Sequence, residues 1–198
     1  MINLISSDCL GGRYFQKNKS EFKNPFIWSS FFLSDFIYLI KNWEDINFEK
    51  IGLEFTDNEY GTFTHTPTII IDNAIKLYFH HHFQNKKYLT PTKIHKNIDD
   101  IDLGYYDILG YLNEKYNNRL KRMSKEEPVF IYNDKKIASD LSPLEFIKLD
   151  TPYKKILVTT KKEYKKYSSN SLDVYIKPRD IMNSSILCDD LFKSGILK

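Results

Sequence analysis

Groups that can act as nucleophiles, acids and anion receptors follow the first apolar run of the chain. Residues 2–5 predict a short buried strand, and directly behind it come two hydroxyls, a carboxylate, a thiol and two glycines: Ser6, Ser7, Asp8, Cys9, Gly11 and Gly12. A cysteine such as Cys9 is a nucleophile when its surroundings favour the thiolate, and the hydroxyl of Ser6 or Ser7 is the alternative. Asp8 is a further catalytic candidate.

The glycine pair predicts a sharp turn that leads from the strand into a helix. Because glycine has no side chain, Gly11 and Gly12 can approach a ligand closely and offer amide N–H groups to an anion or an oxyanion. In α/β sheets, ligands bind in the crevice at the carboxyl ends of the strands. The position favours a substrate site that includes Ser6. The alternative is an ordinary polar turn in which Cys9 is a small buried residue.

Three consecutive histidines, His80, His81 and His82, offer candidates for a catalytic base. In a strand His80 and His82 share one face, and His81 lies on the other. We take His81 and His82 as the catalytic candidates. Consecutive residues of a regular strand cannot all bind one metal ion, and no His-x-x-x-His or Cys-x-x-Cys pair accompanies them, so no metal site is expected.

Two arginines and two aspartates are candidates for substrate binding. Arg119 and Arg122 lie three residues apart on a predicted amphipathic helix, residues 103–123, where two guanidinium groups on the exposed face can bind a phosphate or a carboxylate. The alternative is that they pair with carboxylates on the surface. Asp72 and Asp134 each follow a predicted strand, where they orient sugar hydroxyls, act as a base, or only cap the next turn.

The elements that position these residues alternate along the chain. Apolar and β-branched runs predict strands at residues 50–55, 68–72, 128–132, 155–160 and 173–176. Helices are predicted at residues 29–43 and 103–123, and Ser142 with Pro143 starts a short one. Residues 75–83 fit either a strand or the start of a helix. The order predicts a single α/β domain over residues 1–198, with three αβα layers and a partly mixed central sheet.

Composition excludes several classes of protein. The chain has 198 residues, of which 41% are hydrophobic, and a net charge of +3, so we expect a globular protein with no nucleic-acid partner. No stretch is apolar enough for a transmembrane segment, which leaves peripheral membrane association open, and no signal peptide is evident. The two cysteines, Cys9 and Cys188, lie far apart and suit a reducing cytoplasm, which is the expected location.

With these elements in place, the chain resembles a bacterial family called domain of unknown function nineteen-nineteen. The resemblance starts at residues 4–12, which include the Cys-x-Gly-Gly pattern, and it includes the Lys-aromatic-x-x-Arg-x-x-Arg pattern of residues 115–122. Further similar positions are Tyr14, Pro25, residues 34–37, residues 79–82, Asp134, Phe146, Leu149, residues 152–153 and residues 155–159. The family typically has Asn-Asn before the cysteine, where this chain has Ser7 and Asp8.

Members of this family are often labelled exopolysaccharide biosynthesis proteins. The resemblance implies a part in making a surface polysaccharide: capsule, exopolysaccharide or lipopolysaccharide. With the residues above, it leads us to expect a transferase that moves an acyl group to a glycan or nucleotide-sugar acceptor, with acyl-coenzyme A or a sugar nucleotide as donor. One alternative is a glycosyl- or phospho-sugar transferase with Asp72 or Asp134 as base. The other is a non-catalytic glycan- or partner-binding module in which Cys9 is structural.

Overall fold

The structure is a computed structural model that describes residues 2–22, 24–27, 29–56, 66–79, 98–124, 126–134, 140–178 and 184–197. The strands in these ranges are β1 (Asn3–Ser6), β2 (Ile51–Thr56), β3 (Thr66–Ile71), β4 (Ile75–Tyr78), β5 (Pro128–Asn133), β6 (Lys154–Thr159) and β7 (Leu172–Ile176). The α-helices are α1 (Leu10–Lys17), α2 (Leu33–Lys41), α3 (Ile98–Leu120), α4 (Pro143–Lys148) and α5 (Ser184–Lys193), and a 3-10 helix spans Lys162–Tyr167. Within the described ranges, no helix is long and apolar enough to cross a membrane.

The strands form two sheets. The first sheet is parallel, in the order β1-β5-β6-β7, with Leu4 opposite Val129 and Phe130 opposite Lys155. The second is antiparallel, in the order β2-β3-β4. The predicted α/β class is confirmed, and the expected mixture of parallel and antiparallel strands is divided between the two sheets.

Alternate side chains of the parallel sheet face two different layers, because side chains of a strand point to opposite faces in turn. Leu4 and Ile131 belong to a buried cluster with α1 and α5 on one face. Ile5 and Phe130 belong to a second cluster, which contains side chains of α2, α3, α4 and the antiparallel sheet. Both faces of the parallel sheet are therefore covered, as all-parallel sheets require.

The glycine pair lies inside α1, so the predicted sharp turn before the helix is wrong. The helix begins at Leu10, and Gly11 and Gly12 are buried in its first turn. A Cβ atom added to Gly11 would lie 3.4 Å from the Cβ of Ser6 and 3.6 Å from the carbonyl oxygen of Leu4. A methyl group would therefore fit here at van der Waals distance, so the packing of α1 against β1 has room for a Cβ atom but for little more.

The predicted start of α4 is confirmed, and its end depends on a lysine from the sheet. Ser142 is the N-cap, and its hydroxyl accepts a hydrogen bond of 3.3 Å from the amide of Leu144. At the other end the ammonium of Lys155, from β6, donates to the carbonyls of Phe146, Ile147 and Leu149. The last carbonyl groups of a helix have no partner within the helix, so a buried cation is suited to this position.

Candidate active site at the carboxyl edge of the parallel sheet

All four parallel strands end at the same edge of the first sheet, and each is followed by polar side chains. The groups at this edge are Ser6, Ser7, Asp8 and Cys9 at the end of β1, Asn133 and Asp134 at the end of β5, Thr159 and Lys161 at the end of β6, and Lys177 after β7. This is the edge at which α/β sheets bind their ligands. The structure therefore brings the predicted residues of the first strand together with Asp134.

The carboxylate of Asp8 organises the end of β1. One oxygen accepts hydrogen bonds of 3.0 Å from the hydroxyl of Ser6 and 3.0 Å from the amide of Leu10, the first residue of α1. The other oxygen accepts a hydrogen bond of 2.8 Å from the side-chain amide of Asn133. Because both oxygens already accept protein donors, Asp8 suits a positioning role better than that of a base.

Asn133 connects Asp8 to a buried cation. Its amide nitrogen donates to Asp8, and its amide oxygen accepts a hydrogen bond of 2.7 Å from the ammonium of Lys177. Asp8 and Lys177 are each only 7% exposed. A buried charge needs a partner or hydrogen bonds, and the asparagine meets each charge with the matching end of its dipole. Asn133 follows a predicted strand together with Asp134, but neither Asn133 nor Lys177 is among the predicted site residues; the signal for both is a polar residue at the end of a strand.

The two serines make different contacts. The hydroxyl of Ser6 donates to Asp8 and accepts from the amide of Asp8 at 3.3 Å. The hydroxyl of Ser7 accepts from the backbone amide of Asn133 at 3.2 Å and donates to none of the described residues. Ser7 is thus the better placed hydroxyl for a ligand, although only 4% of it is exposed.

Cys9 lies at the N-cap of α1 and is 7% exposed. The amides of Gly11 and Gly12 follow in the first turn of the helix, where they donate to no acceptor within the described residues. The partial positive charge of a helix N-terminus favours a thiolate over a thiol. By contrast, Cys188 is 1% exposed, and burial raises its pKa to about 11. Neither cysteine is part of a disulfide, and of the two Cys9 is the one that lies at the candidate site.

Asp134 lies beside a threonine and a lysine from the end of β6. One carboxylate oxygen accepts a hydrogen bond of 2.8 Å from the hydroxyl of Thr159 and lies 3.6 Å from the ammonium of Lys161. The side chain of Lys161 is 44% exposed. Asp134 is therefore held at the edge with a partly exposed cation next to it, an arrangement suited to orienting a polar ligand.

A second carboxyl group lies in the helix that begins near this edge. The amide of Phe31, two residues before α2, donates to the carbonyl of Ser7 at 3.0 Å. Asp35 lies in the first turn of α2, where burial and, less strongly, Asp140 raise its pKa to about 6. A carboxyl group that titrates near neutrality is a candidate for proton transfer. The sequence analysis missed Asp35, since an acid in a first turn is common.

The remaining predicted residues do not join this edge within the described structure. Asp72 and Asn73 form the turn between β3 and β4 with positive φ angles of 50° and 59°, as tight hairpins require. The carboxylate of Asp72 pairs with Lys50 at 3.1 Å, which lowers its pKa. Asp72 therefore has a structural role: it forms the turn of the hairpin and pairs with Lys50. His81 and His82 lie outside the described residues, so their role and the predicted absence of a metal site stay predictions.

Arg119 and Arg122 line a separate cavity, and the expectation that both are exposed is wrong for Arg119. Arg119 is 3% exposed, and its guanidinium donates to the carbonyl of Ile27 at 2.6 Å. Arg122 is exposed, and its guanidinium lies 3.9 Å from Glu21. Arg119 is buried because the segment around Ile27 covers this part of α3. Helical periodicity does not reveal such a contact between distant segments.

An exchange of charge tests the contact between Asp8 and Asn133. We expect Asp8→Asn to lower the free energy of unfolding by about 1–3 kcal/mol, because its amide would oppose either Asn133 or the Leu10 amide, donor against donor. The double variant with Asn133→Asp restores complementary partners, since Lys177 then donates to a carboxylate.

Urea unfolding of both single variants and the double variant measures this coupling. We expect the double variant to be more stable than the sum of the single effects predicts. Strictly additive losses would show that the two side chains do not depend on one another.

Comparison with known families matches residues 1–89 to the family described as Domain of unknown function (DUF1919). This confirms the resemblance for the part of the chain that contains β1, Cys9 and the glycine pair. Beyond residue 89, and so for the arginine pair, the resemblance stays a prediction. No curated protein matches the chain. Residues 1–89 of the chain are thus similar to the DUF1919 family.

Proposed function

We propose that the protein is a transferase of surface-polysaccharide assembly that moves an acyl group from acyl-coenzyme A to a hydroxyl of a glycan or nucleotide-sugar acceptor. The observation that carries the proposal is the position of Cys9. It lies at a helix N-terminus, followed by two glycine amides without a described acceptor, at the sheet edge where ligands bind. The family resemblance supports the polysaccharide context.

The chemistry takes two steps. The thiolate of Cys9 attacks the carbonyl carbon of the donor, a carbon–sulfur bond forms, and the coenzyme A thiolate leaves and takes up a proton. The amides of Gly11 and Gly12 are suited to stabilise the oxyanion. An acceptor hydroxyl then attacks the acyl group, loses its proton to a base, and releases the thiolate of Cys9. His81 and His82 remain the predicted bases.

A second candidate is glycosyl or phospho-sugar transfer with Asp134 as base. It is favoured by the contacts of Asp134, which lies between Thr159 and the exposed ammonium of Lys161 at the same edge. In glycosyl transfer the acceptor hydroxyl loses its proton to Asp134 and its oxygen attacks the anomeric carbon of a sugar nucleotide, whose bond to the diphosphate breaks and releases the nucleoside diphosphate. In phospho-sugar transfer the oxygen attacks the phosphorus atom next to the sugar, and the bond between the two phosphorus atoms' shared oxygen and that phosphorus breaks and releases the nucleoside monophosphate. No covalent intermediate on Cys9 forms.

Mass spectrometry of the intact protein tests the acyl-transfer proposal. After incubation with a panel of acyl-coenzyme A esters, we expect the acyl mass on the native chain and on Cys188→Ala, and none on Cys9→Ala. We also expect iodoacetamide to label Cys9 faster than Cys188 near neutral pH, because Cys188 is buried and its pKa is raised.

Equal and slow labelling of both cysteines, with no acyl adduct from any ester, would contradict the proposal. A rise in melting temperature with sugar nucleotides, preserved in Cys9→Ala, would then favour the second candidate, because a ligand that binds only the folded state stabilises it. A shift with glycans alone would favour the non-catalytic binding module.

A further inference from the structure

Three cationic side chains at the C-terminal end of α3 line one cavity of about 310 Å³. Lys115 and Arg119 are four residues apart on one face of the helix, and Arg122 lies in the turn two residues beyond its end. Phe22 and Tyr111 complete the aromatic part of the wall. We refer to this cavity as the α3 groove. No described contact joins it to the carboxyl edge of the parallel sheet.

Each of the three cations is held in place by the protein. The guanidinium of Arg119 donates to the carbonyl of Ile27 and lies 5.4 Å above the ring of Phe22. The ammonium of Lys115 donates to the hydroxyl of Tyr111 at 3.0 Å. Arg122 donates through Nε to the carbonyl of Asn118, one turn earlier, at 3.1 Å. The three charges are therefore oriented before any ligand arrives, which reduces the entropic cost of binding.

Cations outnumber carboxylates around the groove. Among the described lining residues, Glu114 is the one carboxylate against three cations, and Glu21, whose side chain is 79% exposed, lies 3.9 Å from Arg122 just outside the lining. Burial and the nearby Arg119 lower the pKa of Lys115 to about 8. Burial and, less strongly, Arg122 lower the pKa of Arg119 to about 10. Both shifts show that this arrangement disfavours the charged forms, a cost that an anion in the groove would remove.

The dipole of the helix accounts for only part of this charge. Cations are favoured within the last turn of a helix, and α3 ends at Leu120. Arg119 and Arg122 lie at this end, but Lys115 lies more than one turn before it. The helix dipole therefore does not explain why Lys115 lies partly buried beside the two arginines.

We propose that the α3 groove binds the phosphate or diphosphate group of an anionic ligand. Guanidinium groups form paired hydrogen bonds with phosphate oxygens, and a lysine adds a point charge. A cavity of 310 Å³ lies at the small end of ligand sites, which suits a diphosphate group better than a whole nucleotide. The proposal does not depend on acyl transfer or on Cys9.

Calorimetric titration of the full chain with inorganic diphosphate, at constant ionic strength, tests this site. We expect saturable binding that Lys115→Gln and Arg122→Gln each weaken by about tenfold, since a hydrogen bond between charged groups is typically worth a factor of this order. Lys121→Gln is the matched control. Lys121 is an exposed cation next to Arg122 in the sequence, and it does not line the groove. We expect the affinity of this variant to equal that of the native chain.

The same variants distinguish two sources of the phosphate group. Vesicles of phosphatidylglycerol in phosphatidylcholine present it as a lipid headgroup, whereas inorganic diphosphate and uridine diphosphate present it in solution. The proposal is supported if Lys115→Gln and Arg122→Gln weaken binding to one of these probes and Lys121→Gln does not. The probe that binds then identifies the source of the phosphate group. Absence of saturable binding to every probe, or equal loss in all three variants, would overturn the proposal.

Discussion

Replacement of Lys155 by methionine is expected to lower the free energy of unfolding by about 3 kcal/mol. The ammonium of Lys155 is buried and donates to three carbonyls at the end of α4, at 2.9, 3.0 and 2.5 Å. Methionine fills a similar volume but has no donor, so buried carbonyl groups lose their partner, at about 1–3 kcal/mol each. Burial also lowers the pKa of Lys155, because the charged form is disfavoured out of water. This cost offsets part of the stability that the three hydrogen bonds contribute.

Thermal unfolding and urea titration measure the loss. For a chain of 198 residues, a loss of this size corresponds to a fall in melting temperature of about 6–12 °C. Lys154→Met is the matched control, because Lys154 is the neighbouring lysine and its exposed side chain pairs with Asp173. An exposed ion pair is worth about 1 kcal/mol or less. Equal losses in the two variants would show that α4 does not depend on Lys155.

Replacement of Asp35 by asparagine is expected to stabilise the protein by up to about 3 kcal/mol at pH 7 and to leave its stability at pH 4 nearly unchanged. Partial burial raises the pKa of Asp35 from 3.8 to about 6, and a tenfold change in an equilibrium constant is equivalent to about 1.4 kcal/mol. Above pH 6 the folded chain therefore holds a partly buried carboxylate that it disfavours. Asparagine can still accept the hydrogen bond from the backbone of Lys76.

The sign of the pH dependence follows from proton binding. Between about pH 4 and pH 6 the folded state binds more protons at Asp35 than the unfolded state does, so the contribution of this group to stability falls as the pH rises. We expect Asp35→Asn to remove this slope in urea titrations at a series of pH values. Asp45→Asn, at an exposed position, is the control with the same change of charge. An unchanged slope in Asp35→Asn would assign the effect elsewhere.

Several features could be predicted because they depend on neighbours in the sequence. A β-branched run between turns indicates a strand, and the run at residues 155–160 differs by one residue at each end from β6. Ser142 followed by Pro143 indicates a helix start, because the cap acts within three residues. Ser7 and Cys9 come within three residues of the end of the first strand. They lie at the carboxyl edge of the sheet because this strand runs parallel to its neighbours.

The rest depended on contacts between distant segments. Asn133 reaches Asp8 across 125 positions, and Lys177 reaches Asn133 across 44, because β5 pairs with β1 and β7 lies two strands away. Arg119 is buried against the segment that contains Ile27, 92 positions earlier, whose carbonyl oxygen accepts a hydrogen bond from its guanidinium. Periodicity along the chain determines which face of an element is apolar, but not which partner covers it. Strand order and packing therefore decided the charge network, while the sequence itself determined most of the strands and placed Cys9 just after the first of them.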